Sequence, residues 1–444
     1  MKTPFWKKLN SERHDEKETS GKAGDFAERF ASFFSSEPQK EKILRHEDFA
    51  LVGDTYYATV SARFKVAQRV FILLLVLFLL FSIFTNIREI TYGNLYYFVR
   101  DFGNAVDMES TNYETLSYDV YRDQNFSLYR GGIAAVSPSN VSVFTATGRR
   151  TLKSRSDYVV PYAVASSEYL LVYDISGNSF SLYNSFSKVH TESFDYPITD
   201  AAISDSGVFA LLSRSTANKS AIYVYNDNIK LIGKYPKNLY ALDLAVDNDG
   251  ERMAVVYYDV GDGRGKSTLV VYDISERKAE NGRELNEDRI LFETEVNYLF
   301  PLSCSFINDG KLSFITNGSI MIFDEKYELF DKYEYSGEIS AVYTGKNGAA
   351  VALRSGALND INKIIAFDKN GKLLYNEIIR ESVREISLLE EYIFIRSEVG
   401  VSRFDTVGGE LESYECQSGR MLVYDESTAI ICAESKAVYI KFKK

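Results

Sequence analysis

Eight strand-like segments end in an aromatic residue at nearly regular intervals, and this repeat constrains the fold more than any other sequence feature. In six of the eight, an aspartate or asparagine follows the aromatic residue, as in Tyr225-Asn226. The intervals are 39, 42, 47, 51, 44, 37 and 38 residues, with a mean near 43. The aromatic residues are Phe144, Tyr183, Tyr225, Tyr272, Phe323, Phe367, Phe404 and Phe442.

Each repeat has the pattern of four short β-strands. Its hydrophobic residues alternate with a period of two, which is typical of strands and not of the helix pairs of a solenoid. Segments rich in Asp, Asn and Gly at 203–207, 246–250, 307–310 and 345–348 predict hairpins between first and second strands, because these residues accept left-handed backbone conformations. About forty residues in four strands make one blade of a β-propeller.

The last repeat has only three strands after Arg420. An uncovered edge strand promotes aggregation, so propellers complete the last blade with a strand from the other terminus. Residues 114–121 (ETLSYDVY) are the natural donor. The sequence therefore predicts an all-β fold, an eight-bladed β-propeller over residues 113–444. Seven blades is the alternative, because the first repeat is irregular and the longest interval contains an insertion at residues 276–288.

Residues 70–87 form a run of eighteen residues without a charge, bracketed by Arg69 and Arg88. As a helix they would span about 27 Å, close to the hydrocarbon thickness of a bilayer. A buried core helix is the alternative, but core helices rarely carry large apolar side chains on every face. We predict one transmembrane helix, an uncleaved signal anchor, since it begins too far along the chain for a cleavable signal peptide. Its bilayer-spanning residues include Val70, Ile72, Leu75, Leu79, Ile83 and Ile87.

Charge is distributed unevenly on the two sides of this span. Residues 1–69 contain 13 Lys/Arg and 11 Asp/Glu, a net charge of +2, which leaves 38 against 51, or −13, for the rest. Arg63, Lys65 and Arg69 precede the span, so the positive-inside rule predicts a cytoplasmic tail at 1–69 and an extracytoplasmic connector at 88–112 and propeller. The inverse orientation is the alternative. The acidic body argues against a nucleic-acid partner, which requires a concentrated basic surface.

The tail is polar and charge-rich, and we expect it to be partly disordered. Residues 25–35 predict a short amphipathic helix capped by Asp25. One such helix cannot bury its apolar face alone, so it should pack on the membrane, on residues 48–60, or on a cytosolic partner. That face consists of Phe26, Phe30, Phe33 and Phe34.

Catalytic motifs are not apparent in the sequence. Of three histidines only His190 lies in the body, on an expected outer strand beside Lys188 and Glu192. No nucleophile elbow, zinc-binding histidine motif or phosphate-binding loop is present. We therefore assign no catalytic, cofactor-binding or metal-binding residue, and whether the chain is an enzyme stays uncertain, with the sequence favouring a binding role.

Acidic turns and cysteines could also carry chemistry. Asp247, Asp249, Asp259 and Asp262 could ligate calcium, but they do not match the twelve-residue calcium loop, and turn formation accounts for them. The three cysteines lie on strands that are not adjacent, so we expect free thiols rather than a disulfide. They are Cys304, Cys416 and Cys432.

The repeat also carries a resemblance. In blade length and number, residues 113–444 resemble quinoprotein-like propellers and the propeller scaffolds of outer-membrane assembly. With the anchor included, the chain resembles a family of bacterial proteins, from Gram-positive anaerobes, with one amino-terminal span and a carboxyl-terminal propeller. The resemblance implies a fold and a location, not a reaction. Quinoprotein enzymes carry a tryptophan motif in each blade, whereas the only tryptophan here is Trp6, so no quinone cofactor is expected.

Three functions are compatible with this sequence. The favoured hypothesis is a non-enzymatic scaffold, anchored in the bilayer by one span, whose propeller binds a protein or polysaccharide of the cell envelope. The second is an extracytoplasmic enzyme that acts on a sugar or small ligand in the central channel. The third is a sensor that transmits ectodomain binding to the cytoplasmic tail.

Overall fold

The computed structural model describes residues 63–78, 81, 115–119, 124–175, 177–185, 187–261, 265–275, 289–308, 310–355, 361–407, 409 and 411–443. Several sequence predictions lie outside these residues. They are the amphipathic tail helix at 25–35 with Phe26, Phe30, Phe33 and Phe34, the second half of the span with Leu79, Ile83 and Ile87, the connector at 88–112, the insertion at 276–288, and Asp262.

The described residues fall into two units, a helix before residue 96 and a set of strands after it. Residues 63–78 are helical and include Val70, Ile72 and Leu75 of the predicted span. Within the part of the chain that the structure describes, no helix is both long and apolar enough to cross a bilayer.

The second unit contains 32 described strands, all in antiparallel pairs. In chain order they are β1 (Thr115–Ser117), β2 (Asn125–Tyr129), β3 (Gly132–Val136), β4 (Asn140–Phe144), β5 (Arg150–Arg155), β6 (Pro161–Ala165), β7 (Leu170–Asp174), β8 (Ser179–Tyr183), β9 (Lys188–Ser193), β10 (Ile198–Ile203), β11 (Phe209–Ser213), β12 (Ser220–Tyr225), β13 (Leu231–Lys237), β14 (Tyr240–Val246), β15 (Arg252–Asp259), β16 (Lys266–Asp273), β17 (Ile290–Asn297), β18 (Pro301–Ile307), β19 (Lys311–Thr316), β20 (Ser319–Phe323), β21 (Leu329–Glu334), β22 (Glu338–Gly345), β23 (Gly348–Arg354), β24 (Asn362–Phe367), β25 (Leu373–Ile379), β26 (Glu385–Leu389), β27 (Tyr392–Arg396), β28 (Gly400–Asp405), β29 (Leu411–Glu415), β30 (Arg420–Asp425), β31 (Thr428–Cys432) and β32 (Lys436–Lys441).

These strands form eight sheets of four strands each. Seven sheets are simple meanders of consecutive strands, from β2–β5 through β26–β29. The first strands of neighbouring sheets lie side by side, from β2 through β6, β10, β14, β18, β22 and β26 to β30, which returns to β2. The eight-bladed propeller is therefore confirmed, and the seven-bladed alternative is excluded.

The eighth blade is completed by a strand from the other end of the propeller sequence. Its order is β1-β32-β31-β30, and β1 pairs antiparallel with β32 through Leu116 and Ala437. The donated strand lies within residues 114–121, and it becomes the outer strand of the blade. Tyr118 adds a side-chain contact, because its hydroxyl donates a hydrogen bond to the carbonyl of Ala433.

The eight repeat aromatics lie within one residue of the ends of the third strands. Six of them coincide with a shift of register against the fourth strand, as at Val224/Tyr225 and Ala366/Phe367. The following Asp or Asn then closes the turn: the side-chain oxygen of Asn226 accepts hydrogen bonds from the amides of Asn228 (3.1 Å) and Lys230 (2.9 Å). In five of the eight repeats the signature is therefore a bulge followed by an Asx residue, and its role is structural.

The hydrophobic core lies between neighbouring blades. One cluster, for example, joins Ala254 and Leu269 of the fourth blade to Phe306 and Phe314 of the fifth. Second strands such as β11 are buried at every residue, whereas outer strands such as β17 alternate between exposed and half-buried positions. Because both faces of the second strands are covered, their sequences are continuous runs of mostly apolar residues. Blade packing thus holds the first strands around the central channel.

Candidate functional site

The first strands line the channel, and each is the inner edge strand of its sheet. An edge strand presents backbone N–H groups that have no partner within the sheet. In four blades, a side chain of the first strand accepts a hydrogen bond from such an amide in the next blade. The pairs are Asn125 Oδ1 with Ala163 N (3.2 Å), Asp200 Oδ2 with Leu244 N (3.3 Å), Asp243 Oδ2 with Cys304 N (2.7 Å) and Glu385 Oε2 with Met421 N (2.8 Å).

Two of these side chains form a carboxyl pair. Asp200 follows a register shift at the start of β10, and Asp243 follows the same irregularity at the start of β14. Bulges redirect side chains, and here both carboxyl groups come to lie at the junction of two blades. Burial and the charge of Asp243 raise the pKa of Asp200 well above its usual value. Burial also raises the pKa of Asp243. Both shifts favour the protonated form of a carboxyl group at a pH where isolated ones would be ionised.

Hydroxyl groups extend this pair around the channel. Asp243 Oδ2 accepts a hydrogen bond from Ser303 Oγ (2.8 Å), and Ser303 Oγ lies 2.8 Å from Thr344 Oγ1. On the other side, Tyr173 Oη donates to Asp200 Oδ1 over 3.4 Å. A carboxyl pair that shares a proton can serve as a general acid and base. Here, however, both carboxyl groups also accept backbone hydrogen bonds from the next blade. We therefore infer that they connect neighbouring blades.

The pair makes stability depend on pH. Because the folded state binds a proton that the unfolded chain releases above the ordinary carboxyl pKa of about 4, folded wild type loses stability as pH rises from there toward the raised pKa of Asp200. Asp200→Asn keeps a neutral side chain, so this loss should disappear. We expect the variant to match wild type near pH 4 and to exceed it in unfolding free energy at pH 7, measured by urea denaturation. Asp249→Asn, on an exposed turn, controls for removal of a surface charge. A constant difference in unfolding free energy between Asp200→Asn and wild type across this range would contradict a raised pKa of Asp200 in the folded state.

A cavity lies on another part of the channel wall. It has a volume of about 450 Å³ and is lined by β22, β26 and β30 and the residue preceding β26. Its polar lining consists of Tyr343, Thr344, Arg384, Glu385, Ser387 and Arg420. A second cavity of about 240 Å³ shares Tyr343, Ser387 and Met421 with the first and is otherwise mostly aliphatic.

The residues considered from the sequence lie elsewhere. His190 is on the outer strand β9, with Nε2 3.2 Å from Glu192 Oε2. Asp247 closes its own turn, accepting from the amides of Glu251 and Arg252 and pairing with the Arg252 guanidinium at 2.7 Å. The described portions of the chain contain no group of three His, Cys, Asp or Glu residues placed to hold a metal ion. The three cysteines are free thiols.

Sequence reasoning missed the channel residues. A signal was present, because Asp200, Asp243 and Ser303 each follow the bulge of a first strand in consecutive blades. They are 43 and 60 residues apart, so their approach became evident only from the ring of strands.

Comparisons with known proteins agree with this architecture. No curated protein matches the sequence significantly. Among solved structures, Saccharomyces cerevisiae Sqt1 is 10% identical with a TM-score of 0.53, over 74% of this chain and 98% of that one, which shows the fold alone. BamB from Moraxella catarrhalis is 12% identical with a TM-score of 0.49, over 75% and 99%. The profile of a family of unknown function, DUF5711, matches residues 108–441, three quarters of the chain, and the chain therefore belongs to that family.

Proposed function

We propose that this chain is a membrane-anchored propeller that binds a protein partner in the cell envelope and acts as a scaffold. The observation that carries the proposal is a cluster of exposed apolar side chains on one face of two adjacent blades. We call it the aromatic patch, and it consists of Tyr240, Leu242, Val260, Tyr298 and Phe300.

Strand topology puts these residues on one face. The loops that precede first strands and those that join second to third strands meet at the same end of every blade, which we call the entry face. Tyr298 and Phe300 precede β18, Val260 follows β15, and Tyr240 and Leu242 lie at the start of β14. The patch therefore spans the fourth and fifth blades beside the mouth of the channel.

The patch is held in place by hydrogen bonds and ring contacts. The amide of Tyr298 donates to the carbonyl of Gly265 over 2.8 Å, and Phe300 packs edge-on against Tyr258 at 4.9 Å. Tyr298 has a φ of 65°, in the left-handed region that a bulky residue rarely adopts, yet its side chain is 67% exposed. Backbone strain and an exposed aromatic ring at one position are typical of recognition sites.

The opposite face differs. Its loops join first to second and third to fourth strands, and they consist of the Asx and Gly turns described above. In the described ranges, Val407 is the exposed large hydrophobic residue of these loops, and others at this end, such as Leu329, Phe330 and Leu411, lie at the starts of outer strands, away from the channel mouth. An apolar partner surface beside the channel mouth therefore matches the entry face.

The anchor is supported by the amino-terminal helix. Every residue from Phe71 to Phe78 is apolar and exposed, by 40 to 68%. A helix that is apolar on all sides requires an apolar environment, and a bilayer supplies one. Arg63, Lys65 and Arg69 on its amino-terminal side support a cytoplasmic tail and an extracytoplasmic propeller.

Channel geometry favours binding over catalysis. The carboxyl groups of Asp200, Asp243 and Glu385, which an enzyme could use as acids and bases, all accept backbone hydrogen bonds from the next blade. Binding at the entry face requires none of them.

The experiment uses the full-length chain in native membranes with a photo-crosslinking phenylalanine at position 242. We expect a specific protein adduct in the membrane fraction, and Val260→Glu with Tyr298→Glu should lower its yield at least tenfold without changing the unfolding midpoint. Val407→Glu, on the opposite face, is the matched control and should leave the yield unchanged.

Three outcomes would contradict the proposal. An adduct that persists in the double variant places the interface elsewhere. A protease-resistant adduct that glycosidases digest identifies a polysaccharide instead of a protein. Extraction of the wild-type chain from membranes by alkaline carbonate would contradict the anchor.

A further inference from the structure

The channel cavity of about 450 Å³ is lined by more positive than negative side chains, namely Arg384 and Arg420 against Glu385. Two of its ionic groups have partners: Glu385 accepts from Met421 N (2.8 Å) and pairs with Arg396 (3.1 Å), and Arg384 pairs with Glu398. Arg420 forms no ion pair with any carboxylate among the described residues. One positive charge therefore remains at the cavity wall.

Arg420 is held toward the channel by an aromatic ring. Its guanidinium lies 5.8 Å from the centre of the Tyr162 ring, and one terminal nitrogen is 3.5 Å from the Tyr162 hydroxyl. Tyr162 belongs to the second blade and Arg420 to the eighth, so this contact reaches past the first blade. This contact uses one terminal nitrogen, and a guanidinium has five N–H donors, so the other two nitrogens can bind a carboxylate through two hydrogen bonds.

The cavity continues into an apolar one. The neighbouring cavity of about 240 Å³ shares Tyr343, Ser387 and Met421 with it and is further lined by Leu128, Leu389 and Leu422. Glu385 and Arg420 begin their strands, so they lie at the entry face, whereas Leu389 and Leu422 lie further along the channel. The cationic end therefore faces the channel mouth and the aliphatic end lies deeper.

We propose that this channel binds a small organic carboxylate with an apolar body. The carboxylate lies on Arg420, with the Ser387 hydroxyl on the same cavity wall, and the apolar body lies among Leu128, Leu389 and Leu422. The combined space is in the range of small-ligand pockets, which are mostly apolar with a few polar groups that set orientation. A single unpaired guanidinium fits one negative charge. The same chemistry is found in a free carboxylic acid and in the carboxyl terminus of a peptide that ends in an apolar residue.

The proposal goes beyond the scaffold function and does not depend on it. The aromatic patch belongs to the fourth and fifth blades, whereas this cavity belongs to the sixth, seventh and eighth. Loss of the crosslinked partner would leave carboxylate binding intact.

Isothermal titration calorimetry of the full-length protein tests it with four probes: octanoate, octanamide, acetyl-Ala-Ala-Leu and the same peptide with an amidated carboxyl terminus. We expect one of the two carboxylates to bind at least tenfold more tightly than its neutral amide. Binding of octanoate would identify the ligand class as free carboxylic acids, and binding of the peptide would identify it as peptide carboxyl termini. Failure of both carboxylates to bind, or equal binding of acid and amide, overturns the proposal.

Variants locate the charge that matters. Arg420→Gln should weaken carboxylate binding at least tenfold and leave the amide unaffected, and Arg420→Lys should have an intermediate effect because lysine cannot form two parallel hydrogen bonds. The matched control is Arg354→Gln, whose guanidinium pairs with Glu338 and does not line this cavity. Unchanged affinity in Arg420→Gln overturns the assignment. If that variant fails to fold, the comparison of acid and amide on the wild-type protein still decides.

Discussion

Replacing Leu116 by alanine is expected to lower the free energy of unfolding by about 3 kcal/mol, within the range measured for truncation of buried leucines. Leu116 lies on the three-residue strand β1 that completes the eighth blade, and its side chain is only 6% exposed. It packs in one cluster with Phe126 and Ile133 of the first blade and Ile430 of the eighth. Loss of this side chain therefore weakens the packing of β1 against the first and eighth blades, and with it closure of the ring.

Urea denaturation followed by far-ultraviolet circular dichroism measures this effect. Thr115→Ala is the matched control, because Thr115 is on the same strand with its side chain exposed, and its effect should stay within about 0.5 kcal/mol. Equal midpoints for Leu116→Ala and wild type would show that the ring is held closed without β1.

Arg403→Met is expected to destabilise the fold by about 3 kcal/mol, because it leaves two carbonyl groups without their donor. Arg403 lies on β28 and is nearly buried, and its guanidinium donates hydrogen bonds to the carbonyls of Glu426 (2.8 Å) and Lys443 (2.6 Å) in the eighth blade. It also lies over the rings of Tyr392 and Phe442, at 4.7 and 5.2 Å from their centres. One side chain thus fastens the carboxyl-terminal strand to the seventh blade.

The same denaturation series provides the test. Arg354→Met removes an arginine with a partly exposed ion pair to Glu338, and surface pairs contribute at most about 1 kcal/mol, so its effect should be small. Equal losses for the two arginine variants would mean that burial and the two carbonyl contacts of Arg403 contribute little.

The blades were predictable because their signals are local. Tyr225 and the seven other repeat aromatics mark third strands, and where a bulge and an Asx turn follow, as at Tyr225-Asn226, they depend on residues within five positions of one another. The segments at 203–207, 246–250, 307–310 and 345–348 connect first to second strands, as their turn residues indicate. Local backbone preferences and alternating burial therefore suffice to place strands, whereas the choice between seven and eight blades depended on the ring of first strands.

The candidate sites were not predictable in the same way. Asp243 meets the amide of Cys304, 61 residues away, and Arg420 meets Tyr162, 258 residues away. Each of these residues has an ordinary strand context in the sequence. Their roles depend on which first strands become neighbours in the ring and on bulges that turn a side chain toward the next blade.

The sequence by itself determined the repeat, its four strands and the positions of its turns, since these follow from residues that interact within one hairpin. Only the tertiary structure showed the carboxyl pair, the lack of a carboxylate partner for Arg420 among the described residues, and the aromatic patch. The physical reason is that burial, charge pairing and exposure are properties of the closed ring, in which residues from distant repeats meet around one channel and on one face.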